Sequence, residues 1–182
     1  MHELARLSAE ERGRLIDDFW DAVFGGAETD PGFEARLRSA RPELPDDPGP
    51  EQVDAWVELA TLAGDEAFRA TVRTMTARGP ADPAAARARS ALVADRAGAA
   101  LEAGIDPASA AARPLADELA AALLGPERAG DPAARAALAD ELATFSDARV
   151  ERFWRLLAVV NGWGEVASTR PAYEWTIAAL RG

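Results

Sequence analysis

Asp54 and Glu58 stand four residues apart in PEQVDAWVELATL. That spacing sets two carboxylates on one face of a helix, where one could give a proton and the other accept it. On an acidic chain the same spacing marks a solvated face more often than a cleft, and the pair is assigned to such a face. Glu151, Glu165 and Glu174 lie beside aromatic segments, where a buried carboxylate could hold a cationic ligand; a surface or capping role is the ordinary alternative. The single histidine, His2, stands at the terminus, which leaves no histidine-based triad and no histidine-ligated metal. With no cysteine there is no thiolate nucleophile, no disulfide and no cysteine-ligated zinc. Gly162-Trp163-Gly164 follows a helix, whereas phosphate-cradling glycine loops precede one. No cofactor, no metal and no catalytic residue is therefore called for. An enzyme built on Asp54 and Glu58 is the most distant of three functional readings.

The aromatic residues are the other group that could do something chemical. RVERFWRLLAVVNGWG places two of the five tryptophans within ten positions of each other. In a helical domain the default for such rings, Phe19, Phe24, Phe68 and Phe153 included, is core. Tryptophan and tyrosine nevertheless carry a polar handle, and helix-bundle interiors commonly hold ligands. Trp20, Trp56, Trp154, Trp163, Tyr173 and Trp175 are accordingly the candidate lining of a ligand site, with the glycines around Trp163 suggesting a mouth. Such rings on an acidic chain could also favour cationic ligands through cation–π contact.

Helices must position them. Ser8 with Glu11 has the pattern of a capping box, and Leu15, Ile16, Phe19, Trp20, Val23 and Phe24 then recur at helical spacing up to Gly25-Gly26, predicting a helix over 9–24. Asp-Pro pairs at Asp30-Pro31, Asp82-Pro83, Asp106-Pro107 and Asp131-Pro132 predict four further helix starts, because aspartate accepts from first-turn amides and proline surrenders a bond that would not form. The four prolines of RPELPDDPGP predict a rigid connector. After it, Val53, Trp56, Val57 and Ala60 form an apolar stripe closed by Gly64, and Asp65 caps a helix bearing Phe68, Val72 and Met75.

RGPADP marks a second break, suggesting sub-units 1–79 and 80–182 within one domain. The alanine-rich stretch beyond offers only Leu92, Val93 and Leu101 as sizeable apolar groups. Pro114 should kink the Asp106 helix or restart it near Leu115. Ser146-Asp147 precedes a helix whose 156–160 run is apolar all round and hence buried on more than one side. Pro171 starts a last helix with Tyr173, Trp175, Ile177 and Leu180. No alternating β-branched run suggests a strand. The expectation is an all-α, single-domain multi-helix bundle of about eight to nine helices.

The chain has 182 residues, enough for a substantial core, and carries a formal net charge of −11. That charge opposes binding of nucleic acid by this chain, since phosphate contacts need clustered positive surface. No apolar run approaches the roughly 20 residues of a membrane span, and no signal-peptide pattern opens the chain. A cytoplasmic protein without membrane contact is expected.

Three blocks, RLSAEERGRLIDDFWDAVFGG, SARPELPDDPGPEQVDAWVELATL and ERFWRLLAVVNGWG with PAYEWTIAALR, resemble the region that follows the DNA-binding part in a group of MerR-family transcriptional regulators. The alanine-rich middle matches in length and helical character more than in motif. The resemblance implies a C-terminal effector-binding domain, separated from a winged helix-turn-helix that this chain lacks. The leading expectation is thus a sensor that takes a small apolar or aromatic effector among its helices. The alternative is a helical dimerisation or protein-interaction module without a small-molecule ligand, with a second copy of the chain as candidate partner.

Overall fold

The computed structural model describes residues 4–25, 29–77, 83–164 and 167–182. Among these residues the chain is all-α: a single helical turn at Leu4–Arg6 precedes nine α-helices, and no strand is present. They are α1 (Ala9–Phe24), α2 (Pro31–Ser39), α3 (Pro50–Gly64), α4 (Glu66–Ala77), α5 (Pro83–Glu102), α6 (Arg113–Leu124), α7 (Pro132–Thr144), α8 (Ala148–Asn161) and α9 (Arg170–Arg181). His2, Gly26, Asp82 and Glu165 lie outside the described residues, as does most of RGPADP.

Local chemistry explains most of the boundaries. Ser8 and Glu11 close a reciprocal capping box on α1, with Ser8 Oγ accepting from the Glu11 amide at 3.2 Å and the Glu11 carboxylate accepting from the Ser8 amide at 2.8 Å. Asp30, Asp65 and Asp131 each accept an amide of the turn that follows, at 2.7, 2.7 and 2.9 Å. α8 begins directly after Asp147. Pro50, the last proline of the expected connector, belongs instead to α3, where a missing N–H at the first helical position costs nothing.

Asp106-Pro107 does not start a helix. Asp106 accepts from the Ala108 amide at 2.8 Å, but the chain continues as turns until α6 opens at Arg113. The Pro114 ring would collide with the carbonyl four residues back in any helix running through from Asp106, so the helix starts afresh.

The chain divides into two compact units, one comprising residues 1–79 and 149–167, the other 80–148 and 168–182. The sequence break near residue 80 is therefore only part of the division. α8 belongs with the first unit because Phe153, Leu156, Leu157 and Val160 are buried in one cluster with Ile16, Phe19, Trp20, Val23 and Phe24 of α1, Trp56 and Leu59 of α3, and Phe68 of α4. Burying each of those four side chains contributes about 1.5–3 kcal/mol.

In the second unit α9 packs against α5, α6 and α7. Its Trp175 is the one ring among the buried members of a cluster otherwise built from Val93, Leu119 and alanines. Ile177 and Leu180 join Ala120, Leu138, Ala139 and Leu142 in a second cluster, and half-buried Tyr173 packs against both. The thin packing expected of α5 is present, and Leu101 points outward at 41% exposure. Among the described residues no helix is long and apolar enough to cross a membrane.

Candidate functional site

The segment with two tryptophans in ten positions serves two surfaces of one helix. Phe153, Leu156, Leu157 and Val160 face the core, whereas Arg155, Ala158 and Val159 line a cleft of about 810 Å3. Across it stands the start of α3, supplying Gly49, Pro50, Glu51 and Gln52, and Gly162 and Gly164 complete the lining. The volume lies in the range of small-molecule sites.

The turn after α8 explains how the chain passes this cleft. The Gly162 amide donates to Val159 O at 3.1 Å and the Trp163 amide donates to Ala158 O at 2.9 Å, with Gly162 at φ 64°. This is a Schellman termination, in which the left-handed residue favours glycine and the next residue commonly folds back onto the helix. Trp163 is that next residue, yet its side chain is 60% exposed, between two glycines of the lining.

The cleft is held by side-chain amides. Gln52 Oε1 accepts from the Gly49 amide and Gln52 Nε2 donates to Val160 O, both at 3.1 Å, tying the start of α3 to the end of α8. Asn161 accepts from the Glu43 amide at 2.6 Å and donates to Arg41 O at 2.8 Å, clasping the connector on either side of buried Pro42. Both amides are thus committed, and among the described residues the charges in the lining are the exposed side chains of Glu51 and Arg155, the latter within 4.0 Å of the Glu151 carboxylate. The lining offers apolar surface from Pro50, Ala158 and Val159 with one group of each charge, Glu51 and Arg155, and Trp163 stands in the chain between two of its glycines.

The six aromatic residues expected at one site are not brought together as a set, because most of them are taken up as core. Trp20 is 2% exposed, with its ring 6.4 Å from that of half-buried Trp154 and its edge to Phe19 at 4.8 Å. Trp56 is fully buried and donates its indole N–H to Leu4 O at 2.8 Å. Trp175, 3% exposed, donates to Ile105 O at 2.7 Å within the second unit, to which Tyr173 also belongs. Of the six, Trp163 alone adjoins the cleft. Gln52, Arg155 and Asn161 were not singled out by sequence. The signals for two of them were present: glutamine three residues after Gly49 in a capping position, and Asn161-Gly162 as a helix stop.

The carboxylate pair resolves into a solvated face. Asp54 and Glu58 are both exposed, and Arg152 grips Glu58 through two hydrogen bonds, at 2.6 and 2.5 Å. Those bonds hold the Glu58 carboxyl below its ordinary pKa, so it stays ionised at neutral pH rather than poised to donate a proton. Glu174 pairs with Arg170 at 2.8 Å.

No protein-family model matches the chain, and neither a curated protein nor a solved structure shows a significant match to it.

Proposed function

We propose that this chain is an effector-binding domain of the kind its sequence resembles in MerR-family regulators, taking a small, largely apolar or aromatic molecule in the cleft between α3 and α8. The observation that carries this reading is the cleft of about 810 Å3 itself, with Trp163 exposed in the turn between two of its lining glycines. A planar ligand lodged there removes two apolar faces from water at little cost in side-chain order. The effect on a regulator follows from differential affinity. α3 and α8 meet at the cleft through Gln52, so a ligand seated there favours whichever arrangement of the two helix ends fits it.

Trp163 with Leu101, the two large apolar side chains left exposed among the described residues, also supports the second reading, a protein-interaction module. Titration of a planar aromatic fragment set, followed by tryptophan emission, separates the two. Trp163 dominates the solvent-exposed emission, so a sensor gives saturable quenching that Trp163→Ala abolishes. Concentration-dependent sedimentation that Trp163→Ala or Leu101→Ser reverses, without quenching by any fragment, supports assembly and removes the sensor reading.

A further inference from the structure

α8 carries three arginines, and two of them are occupied. Arg149 Nη2 donates to Thr71 Oγ1 at 2.9 Å, and Arg152 holds Glu58 through its paired bonds. Arg155 makes no hydrogen bond among the described residues, and its one ion pair there, with Glu151 of its own helix, is 4.0 Å long, beyond the hydrogen-bond limit of about 3.2 Å. Arg155 is also the arginine that faces the α3–α8 cleft. With Ala158, Val159 and Gly162 it recurs at the spacing of one helical face, so this wall runs about 10 Å from a guanidinium, over two aliphatic side chains, to a glycine. Glu51, the charge on the opposite wall, stands in the first turn of α3, where the amides of the helix end already offset a carboxylate. The charge most in need of a partner is therefore the positive one.

We propose, resting on the reading of this cleft as an effector site, that its ligands are apolar monocarboxylic acids about 10 Å long, anchored by the carboxylate on Arg155. The apolar body lies along Pro50, Ala158 and Val159 toward Gly162. A guanidinium presents a planar fork that matches a carboxylate through two parallel N–H bonds, and its five donors leave room for Glu151 beside the ligand. Because the Arg155 side chain is half exposed, water weakens the pair, and the gain over a neutral ligand of the same shape is about fivefold. The net charge of −11 does not forbid an anion here, since at physiological salt charges more than about 8 Å away are largely screened.

Biphenyl-4-carboxylate, biphenyl-4-carboxamide and 4-phenylbenzylamine test this, sharing one apolar frame and differing in the charge of the end group. The measurement is a titration of the full chain with each at neutral pH, following the Val159 and Gly162 backbone amides by proton–nitrogen NMR. The expected result is saturable binding of the acid about fivefold tighter than the amide, with the amine weakest and the gap narrowing as salt is raised. In Arg155→Gln the acid falls to parity with the amide, whose own affinity is unchanged; Arg155→Lys keeps part of the preference. Equal binding of acid and amide at these residues, tightest binding of the amine, or a preference that survives Arg155→Gln overturns the inference while leaving the cleft a ligand site. If none of the three probes shifts these amides, the inference falls together with the reading on which it rests.

Discussion

Replacing Trp20 and Trp56 separately by phenylalanine makes one chemical change in two places, and the structure predicts opposite consequences for the indole nitrogen. Both residues are buried, at 2% and 0% exposure, and both substitutions shrink a ring in the same core. The cost of that shrinkage, about 1–2 kcal/mol for a partly relaxed cavity, is common to the two and cancels on subtraction. At Trp56 the change also deletes the bond to Leu4 O, worth about 0.5–1.5 kcal/mol net and more if the carbonyl is left dry. At Trp20 it removes a donor that has no acceptor, and so relieves a burial penalty of about 1–3 kcal/mol. The two terms add, and Trp20→Phe should be the more stable variant by about 3 kcal/mol, roughly a hundredfold in the folding equilibrium. Urea denaturation followed by far-ultraviolet circular dichroism resolves this easily. With a slope of about 2 kcal/mol per molar the midpoints should differ by about 1.5 M. If Trp20→Phe loses as much stability as Trp56→Phe, the Trp20 N–H is paired in solution and the reasoning about its environment fails.

Other expectations follow from single contacts. Trp175→Ala should cost about 3–5 kcal/mol, since it empties the centre of an alanine-lined cluster and strands Ile105 O, and amide exchange should speed up in α5, α6 and α9. Asn161→Ala removes both bonds that clasp residues 41 and 43, so limited proteolysis should cut the connector faster while circular dichroism changes little. Glu58→Gln should cost at most about 1 kcal/mol, because the Arg152 pair is half exposed, and less in high salt. The sign of its pH dependence is fixed by the lowered pKa: the contribution is full above the unfolded-state value and is lost as pH falls through the folded one, so wild type and variant should converge in acid. Ser8→Ala should cost about 1 kcal/mol through loss of the α1 cap, read as a lower denaturation midpoint.

The fold was legible wherever a local signal was sufficient by itself. α1 runs from Ala9 to Phe24 as its capping box and aromatic periodicity require, and Asp65 and Asp131 begin helices through their own carboxylates. Asp106 carries the same dipeptide but is overruled by Pro114 eight residues downstream in the helix it would have built. Long-range pairing was less legible. The apolar run of α8 announces burial, yet nothing in it specifies that its partners are α1, α3 and α4, some 70 residues or more upstream. The same limit applies to the site. Sequence singles out tryptophans but cannot distinguish an indole closed over Leu4 O from one left on the surface at Trp163, because the difference lies in what approaches the ring from elsewhere in the chain.

The most direct test of effector binding at the α3–α8 cleft is to map, by proton–nitrogen NMR, the amides perturbed when a planar aromatic fragment is titrated into the protein. The account predicts saturable shifts of the Trp163 indole together with the backbone amides of Glu51, Gln52, Val159, Gly162 and Gly164. Perturbations that spare these residues, or no saturable shift with any member of the fragment set, would contradict it.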